Sequence, residues 1–430
     1  MTRLLELLIS CVIVAVLFLV VAVLLPSSRT LTESVETNRR QTIVFDTLNA
    51  VRRFKDWSPV TAYDPNAKLT VSGPDAGVGA KIAYDSTIKR VGQGSWEITE
   101  SEPGSRVVYA VEDPTRGNNK KMTFALKPTG RNNRNIEITQ TYNVDYGWDL
   151  LGRFAGLYVS RNVGDGMKLG LGRLSNMLAA VPNVDYRAEG STLSDLAAAD
   201  RPAENLLVVS AGAVERSNQV IQDSMKANLE WINRTMAANN LESAGPLRII
   251  TTELGRETYT FDIAMPVRKK GTGPAAPAAP AAPAAAEGGG EETAAAPAPV
   301  AESTTDAVEL TGLQLLGPVK SVFVPRARVA KANYKGFMAE LDNVRNAVRA
   351  WALTQGYEVT DRPYENYVNG IDTAFTENGE FEVFWTLRDP NAAPAAAAPA
   401  APAAAPAPAE APAPAEGEAP AEAPAAAPAQ

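Results

Sequence analysis

The sequence predicts an α+β protein carried on one transmembrane helix. Its first domain should be a curved antiparallel sheet gripped around its last helix, and its second two strand-helix-strand-strand repeats. Three observations lead there: an unbroken apolar run opens the chain, a series of period-two runs separated by Gly, Pro and Asn turns follows, and two amphipathic helices occupy matching places within residues 200–388.

The opening run, LLELLISCVIVAVLFLVVAVLL at residues 4–25, is apolar apart from Glu6 and Ser10. At ~1.5 Å per residue it reaches ~33 Å, enough to cross a bilayer core once. It is long for the apolar region of a cleaved signal peptide, and LLPSSRTL offers no small-x-small cleavage site. LISC looks like an acylation box, but the apolar run follows Cys11 instead of preceding it, so lipidation is rejected. Arg29, Arg39 and Arg40 after the span, against Arg3 before it, favour a cytoplasmic body on charge alone. A short tail, one span and a large body form the signal-anchor arrangement, which places the body in the periplasm of a bacterial inner membrane. The second orientation is preferred.

Residues 271–305 and 389–430 are Ala/Pro tracts that lack the large apolar side chains of a core, and they read as a disordered linker and tail. They hold nine of the acidic residues and no Lys or Arg, so the net charge of -8 belongs to them; the rest carries 41 basic against 40 acidic groups. A nearly neutral body argues against a nucleic-acid surface. Cys11 is the only cysteine and histidine is absent, which removes disulfides, thiol nucleophiles, Ser-His-Asp triads and Cys/His metal sites. No cofactor or metal is expected.

In residues 30–185, LTESVETNR alternates like a strand, and Ile43, Val44, Leu48, Val51 and Phe54 recur at helical spacing until Pro59. Strand-like runs then extend from AKLTVSG to RNIEITQTYNVDY, and a long helix from Leu150 closes the segment. This stretch resembles the START-like superfamily of polyketide cyclase-type (SRPBCC) proteins. The residues that carry the likeness are VFDTLNAVRRFKDWSPV, the Asp64-Pro65 turn, SGPDAGVGAKIAY, GQGSWEITESEPGSRVVY and RFAGLYVSRNVGDGMKLGLGRL. The resemblance implies a helix-grip fold with a hydrophobic cavity between sheet and C-terminal helix, and sets Trp57 beside its mouth.

Strand parity puts Gln140 on one face with Ile136, Ile138, Tyr142 and Val144, as the odd polar group; Trp96 shares a face with Ile98, and Tyr84 with Ile82 and Ile88. Trp57, Tyr84, Trp96, Gln140 and Tyr142 are therefore the candidate ligand contacts of the first domain. The alternative is that the aromatics fill the core and Gln140 bonds to a backbone carbonyl. The glycines of GDGMKLGLGRL do not match GxGxxG and lie outside any βαβ unit, so close packing of the helix on the sheet explains them better than a nucleotide does.

In residues 200–388 each half runs strand, helix, strand, strand: NLLVVSAGAV, a helix bearing Val220, Ile221, Met225, Leu229, Ile232 and Met236, LRIITTE and TYTFDIAMPV; then VKSVFVPRARVAKANY, a helix bearing Phe337, Leu341, Val344, Val348 and Trp351, PYENYVN and GEFEVFWTLR. Both helices should lie on one side of a shared sheet. The pattern, above all VAKANYKGFMAELDNVRNAVRAWALTQGYEVTDRPYENYVNG with FDIAMPV and FEVFWTL, is similar to the GyrI-like effector-binding domain family. The first half departs from it, lacking the Tyr334-Lys335-Gly336 signature, and the family's compact form has no Ala/Pro insertion.

Parity sets Asp262 and Glu382 at equivalent positions on the concave face, with Phe384 facing the same way. The resemblance implies a carboxylate there walled by aromatics, for which Tyr334, Tyr364 and Tyr367 are the candidates, receiving cationic or amphipathic ligands. Alternation alone also predicts solvated carboxylates on an open face. The expected function is a non-catalytic, membrane-anchored binder of hydrophobic or amphipathic small molecules or lipids. One alternative is hydrolysis of electrophilic small molecules by Glu382 with Tyr334 or Tyr364. Another is an envelope scaffold whose 42-residue tail, at ~3.1 Å per residue, spans ~130 Å to an envelope protein partner.

Overall fold

The computed structural model describes residues 2–188, 193–272, 305–359 and 362–388; the tail, and the linker between Thr272 and Thr305, lie outside them. Helix α1 (Thr2–Leu24) is long and apolar enough to cross a membrane, and most of its side chains from Leu7 onward are exposed. Three residues later β1 (Ser28–Thr37) begins.

Helices α2 (Gln41–Asn49) and α3 (Phe54–Trp57) follow, where the sequence suggested one helix ending at Pro59, and α4 (Pro59–Tyr63) comes after them. Ala50 is the reason for the break: it leaves helical geometry to bridge Ala76. A meander comes next, made of β2 (Lys68–Ser72), β3 (Lys81–Asp85), β4 (Gln93–Glu102), β5 (Arg106–Glu112), β6 (Asn118–Thr129) and β7 (Asn135–Asp145). The seven strands lie in the order β1-β7-β6-β5-β4-β3-β2, all antiparallel. Along β7 Ile136, Ile138, Gln140, Tyr142 and Val144 are buried, as period-two alternation requires of a half-covered sheet. Ile88 departs from the face assigned to it with Tyr84: it lies beyond the end of β3 and is exposed.

The closing helix is also broken. It consists of α5 (Leu150–Ala155), irregular turns through Gly164, and α6 (Asp165–Ala179), which lays Met167, Leu171, Leu174 and Leu178 on the core. Gly166 and Gly170 do not meet the sheet, as was expected of them. A methyl group on Gly170 would stand 3.4 Å from both Trp57 O and Pro59 Cδ, so these glycines let α6 approach the α3-α4 turn.

The second sheet is built from β8 (Leu193–Arg201), β9 (Glu204–Glu215), β10 (Leu241–Ser243), β11 (Leu247–Leu254), β12 (Thr258–Lys269), β13 (Lys320–Val324), β14 (Ala327–Lys335), β15 (Tyr364–Tyr367) and β16 (Glu380–Thr386). Its order is β13-β9-β12-β11-β15-β16-β14-β8, with β10 beside β12. VKSVFVPRARVAKANY was expected to be one strand; the chain instead breaks after Val324 at Pro325, so β13 pairs with β9 at one edge while β14 pairs with β16 near the other. β8, unassigned in the sequence, covers β14.

Helices α7 (Asn218–Ala238) and α8 (Leu341–Thr354) pack on one side, burying Ile221, Met225, Ile232, Leu341, Val344 and Val348 in one core with the sheet; the short α9 (Ile371–Ala374) joins them. Val220 and Phe337, assigned to the same faces, are exposed instead, Phe337 because it precedes the helix. Helix α8 has a second buried face. Ala347 and Ala350 join the core of the first sheet, and Thr354 meets Tyr186, whose hydroxyl donates to the buried Asp46 of α2 at 2.7 Å.

Candidate functional site

The turn that carries Trp57 is built locally. Ser58 leaves the helical region, its hydroxyl faces Thr61 N at the start of α4, and Pro59 occupies the first helical turn, where its missing N–H costs nothing. Trp57 is thereby driven inward to 1% exposure. Its ring stands edge-on to Phe54 (5.4 Å between centroids), Trp96 (6.1 Å) and Phe124 (5.5 Å), the arrangement that aromatic quadrupoles favour. Trp96 continues the array to Tyr109, whose hydroxyl donates to Leu48 O.

Polar atoms interrupt this apolar interior. Trp57 Nε1 and Gln140 Oε1 are both buried without a hydrogen-bond partner among the described residues. They are close neighbours in the architecture, because Gln140 pairs across β6-β7 with Phe124, against which Trp57 packs. One is a donor only and the other an acceptor, and each uncompensated group costs about 1–3 kcal/mol. Tyr84 and Tyr142, also buried, lie where Asp113 acts on both; burial first, and that carboxylate second, push both phenols well above their usual range. Tyr84 gains its place because Gly94 has no side chain: a methyl group there would lie 2.4 Å from the phenol oxygen.

The open face of the second sheet holds a groove of about 1010 Å³ lined by residues including Arg201, Glu204, Arg248, Lys331, Tyr364 and Phe384. Tyr364 and Phe384, directly paired across β15-β16, stack at 4.9 Å with planes 13° apart. Arg248 lies over the Tyr364 ring at 4.3 Å, forms an ion pair with Glu204 at 2.5 Å and donates to Asn366 Oδ1 at 3.1 Å. Asn366 in turn donates to Glu382 at 3.0 Å.

This geometry divides the residues that the sequence had grouped. Tyr334 and Tyr367 are on the helix side of the sheet, packed against Phe381 in the core, and do not share a face with Tyr364 and Phe384. The reason is the pleat: Tyr364 and Tyr367 are three residues apart on one strand, so they point to opposite sides. Asp262 is paired with Arg362 at 3.5 Å. Two strands, β11 and β15, separate its strand from that of Glu382, a displacement of roughly 14 Å, so the two carboxylates do not converge. Neither lines the groove. The cation position over its aromatic floor is taken by the protein's own Arg248, whose partner Glu204 the sequence had not singled out.

Tyr334 cannot serve Glu382 in hydrolysis from the far side of the sheet; Tyr364 shares its face, on the diagonal across β15-β16. Among the described residues no group of three or more His, Cys, Asp or Glu could hold a metal ion.

Residues 28–178, about a third of the chain, match the family described as polyketide cyclase / dehydrase and lipid transport. That segment spans the seven-stranded sheet with its helices, an antiparallel arrangement consistent with a helix-grip fold, and the family it matches suggests small-molecule or lipid binding. Among solved structures, the chain is similar to an EcmrR–DNA complex (14% identity, 56% of this chain and 71% of that one, TM-score 0.32). It is also similar to norcoclaurine synthase from Thalictrum flavum (12%, 35% and 87%, TM-score 0.29) and to a protein from Thermobifida fusca (19%, 35% and 93%, TM-score 0.27). No curated protein matches.

Proposed function

We propose that the protein is a membrane-anchored, non-catalytic binder of hydrophobic or amphipathic small molecules or lipids, with α1 as its anchor. In this reading it is a single-pass protein of a bacterial inner membrane with its body in the periplasm. The observation that carries the proposal is the pair of unpartnered polar atoms, Trp57 Nε1 and Gln140 Oε1, inside the apolar interior of the segment that matches a lipid-transport family. Apolar walls with a few placed polar groups are what a small-molecule site requires. Trp57, Trp96 and Gln140 would contact the ligand, with Tyr84 and Tyr142 toward the Asp113 end.

The second module, residues 200–388 with β8 added, is read as GyrI-like. Support comes from the strand order: β9-β12-β11 and β14-β16-β15 repeat the same connectivity about the β11-β15 pair, with both helices on one side. Its ligand would lie on Tyr364 and Phe384. With Lys331 beside that floor and Arg201 and Arg248 over it, both paired with Glu204, an amphipathic ligand carrying an acidic group suits it better than the cationic one, of the two kinds expected from the sequence.

Native mass spectrometry of the detergent-solubilised full chain, paired with lipid extraction, tests the proposal. A co-purified ligand that is lost in Gln140→Leu supports it. A chain that purifies empty and takes up nothing from a panel of lipids and aromatic acids rules it out.

A further inference from the structure

The junction between α1 and the first sheet is short and held by hydrogen bonds. Only three residues separate Leu24 from Ser28, and Ser27 O accepts from Tyr146 N at 2.7 Å and Gly147 N at 3.2 Å. At the end of α1, where carbonyls lack partners within the helix, Arg153 of α5 donates through Nη1 to Val23 O at 2.9 Å and, just past the helix, to Leu25 O at 3.2 Å. Arg153 also holds Gly147 O at 2.6 Å and is itself buried. One residue further on, Phe154 stacks on Phe18 at 4.3 Å with planes 13° apart.

Phe18 lies six residues before the end of α1, about 9 Å along its axis. If α1 spans the bilayer, its ~34 Å length exceeds a ~30 Å hydrocarbon core by only a few ångströms. Phe18 is then below the hydrocarbon boundary, and Phe154 must be beside it. The segment around Phe154 has the surface such a position demands. Trp148 is 82% exposed, Leu151 54%, Leu157 50% and Tyr158 62%, while Arg161 is exposed just beyond them.

We infer that Trp148, Leu151, Phe154, Leu157 and Tyr158 form a second membrane contact, an interfacial wedge that enters the same leaflet as the end of α1 and fixes the orientation of the grip module on the bilayer. Trp and Tyr are the side chains that settle at headgroup level, with an apolar face sunk about 5–10 Å and a nearby arginine meeting lipid phosphates. The bilayer is the occupant because the patch continues the uncovered apolar surface of α1 and is locked to it by Arg153. The inference rests on α1 being a membrane span.

Two single-cysteine chains and the native chain test it, each labelled with a polarity-sensitive fluorophore and reconstituted into vesicles of phosphatidylethanolamine and phosphatidylglycerol. The native chain reports α1 through Cys11, its only cysteine, which is exposed. In a Cys11→Ser background, Trp148→Cys reports the wedge. In the same background Arg131→Cys reports the turn beyond the far end of β7, about 30 Å away.

Nitroxide-bearing lipids should remove most of the emission at 148, as at 11, and leave 131 unchanged. Quenching at 11 without quenching at 148 overturns the wedge and leaves the anchor standing. Quenching at neither overturns both. A label at 148 protected from lipid nitroxides and from aqueous iodide alike means that a second copy covers the patch, and also overturns the inference.

Discussion

Arg345 donates from Nε to Glu365 at 2.5 Å beneath α8, where their side chains are 6% and 0% exposed. Removing one partner of such a pair strands a buried charge. Arg345→Met should cost about 3–5 kcal/mol, whereas Arg345→Met combined with Glu365→Leu should recover most of it. Urea unfolding of both variants measures this, and equal losses in single and double variants would contradict it.

The tyrosines of β15 should respond in opposite ways. Tyr364→Ala removes the stack on Phe384 and the Arg248 contact, for a loss of about 1–3 kcal/mol and weaker retention of aromatic acids in the groove. Tyr367→Phe deletes a buried hydroxyl that has no partner among the described residues, so stability should hold or rise by up to ~1 kcal/mol. Thermal melts of the two variants decide it; a destabilised Tyr367→Phe would show that the hydroxyl is bonded.

Gln140→Leu replaces an uncompensated acceptor with a group the surrounding core accepts. The ligand-free protein should gain about 1–3 kcal/mol, seen as a higher Tm, while ligand uptake falls. A lower Tm in ligand-free protein would mean that the carboxamide is already satisfied.

Asp46 gives a pH dependence. Burial raises its carboxyl above 3.8, against the opposing pull of Arg187 and the Tyr186 hydroxyl. A folded value above the unfolded one means that the folded state holds this proton more tightly. Its contribution is complete below pH 3.8 and is lost as pH rises through the raised folded value. Asp46→Asn stays neutral throughout, so its stability curve should lack that decline. Urea titrations from below pH 3.8 to neutrality compare the two; parallel curves would remove Asp46 as the cause.

The elements that were legible in advance are those whose signal is local. The apolar run became α1, and the alternation from Ser28 to Asp145 became an antiparallel sheet with Gln140 turned inward. Breaks were harder to read. Ala50 ends α2 through a bridge to Ala76, a partner distant in sequence, and Pro325 sends β13 and β14 to different strands although the run around it is uniformly strand-like. Glu204 escaped notice because its meaning depends on Arg248, forty-four residues further along, a pairing that no local pattern shows.

By itself the sequence determined which residues are apolar, which alternate and which chemistry is excluded, because periodicity and composition belong to the chain alone. Tertiary structure decided that Arg248 occupies the aromatic floor, that α8 serves two cores, and that Phe154 lies against Phe18. Each of these depends on strand register or helix docking, where side chains far apart in the chain compete for one space.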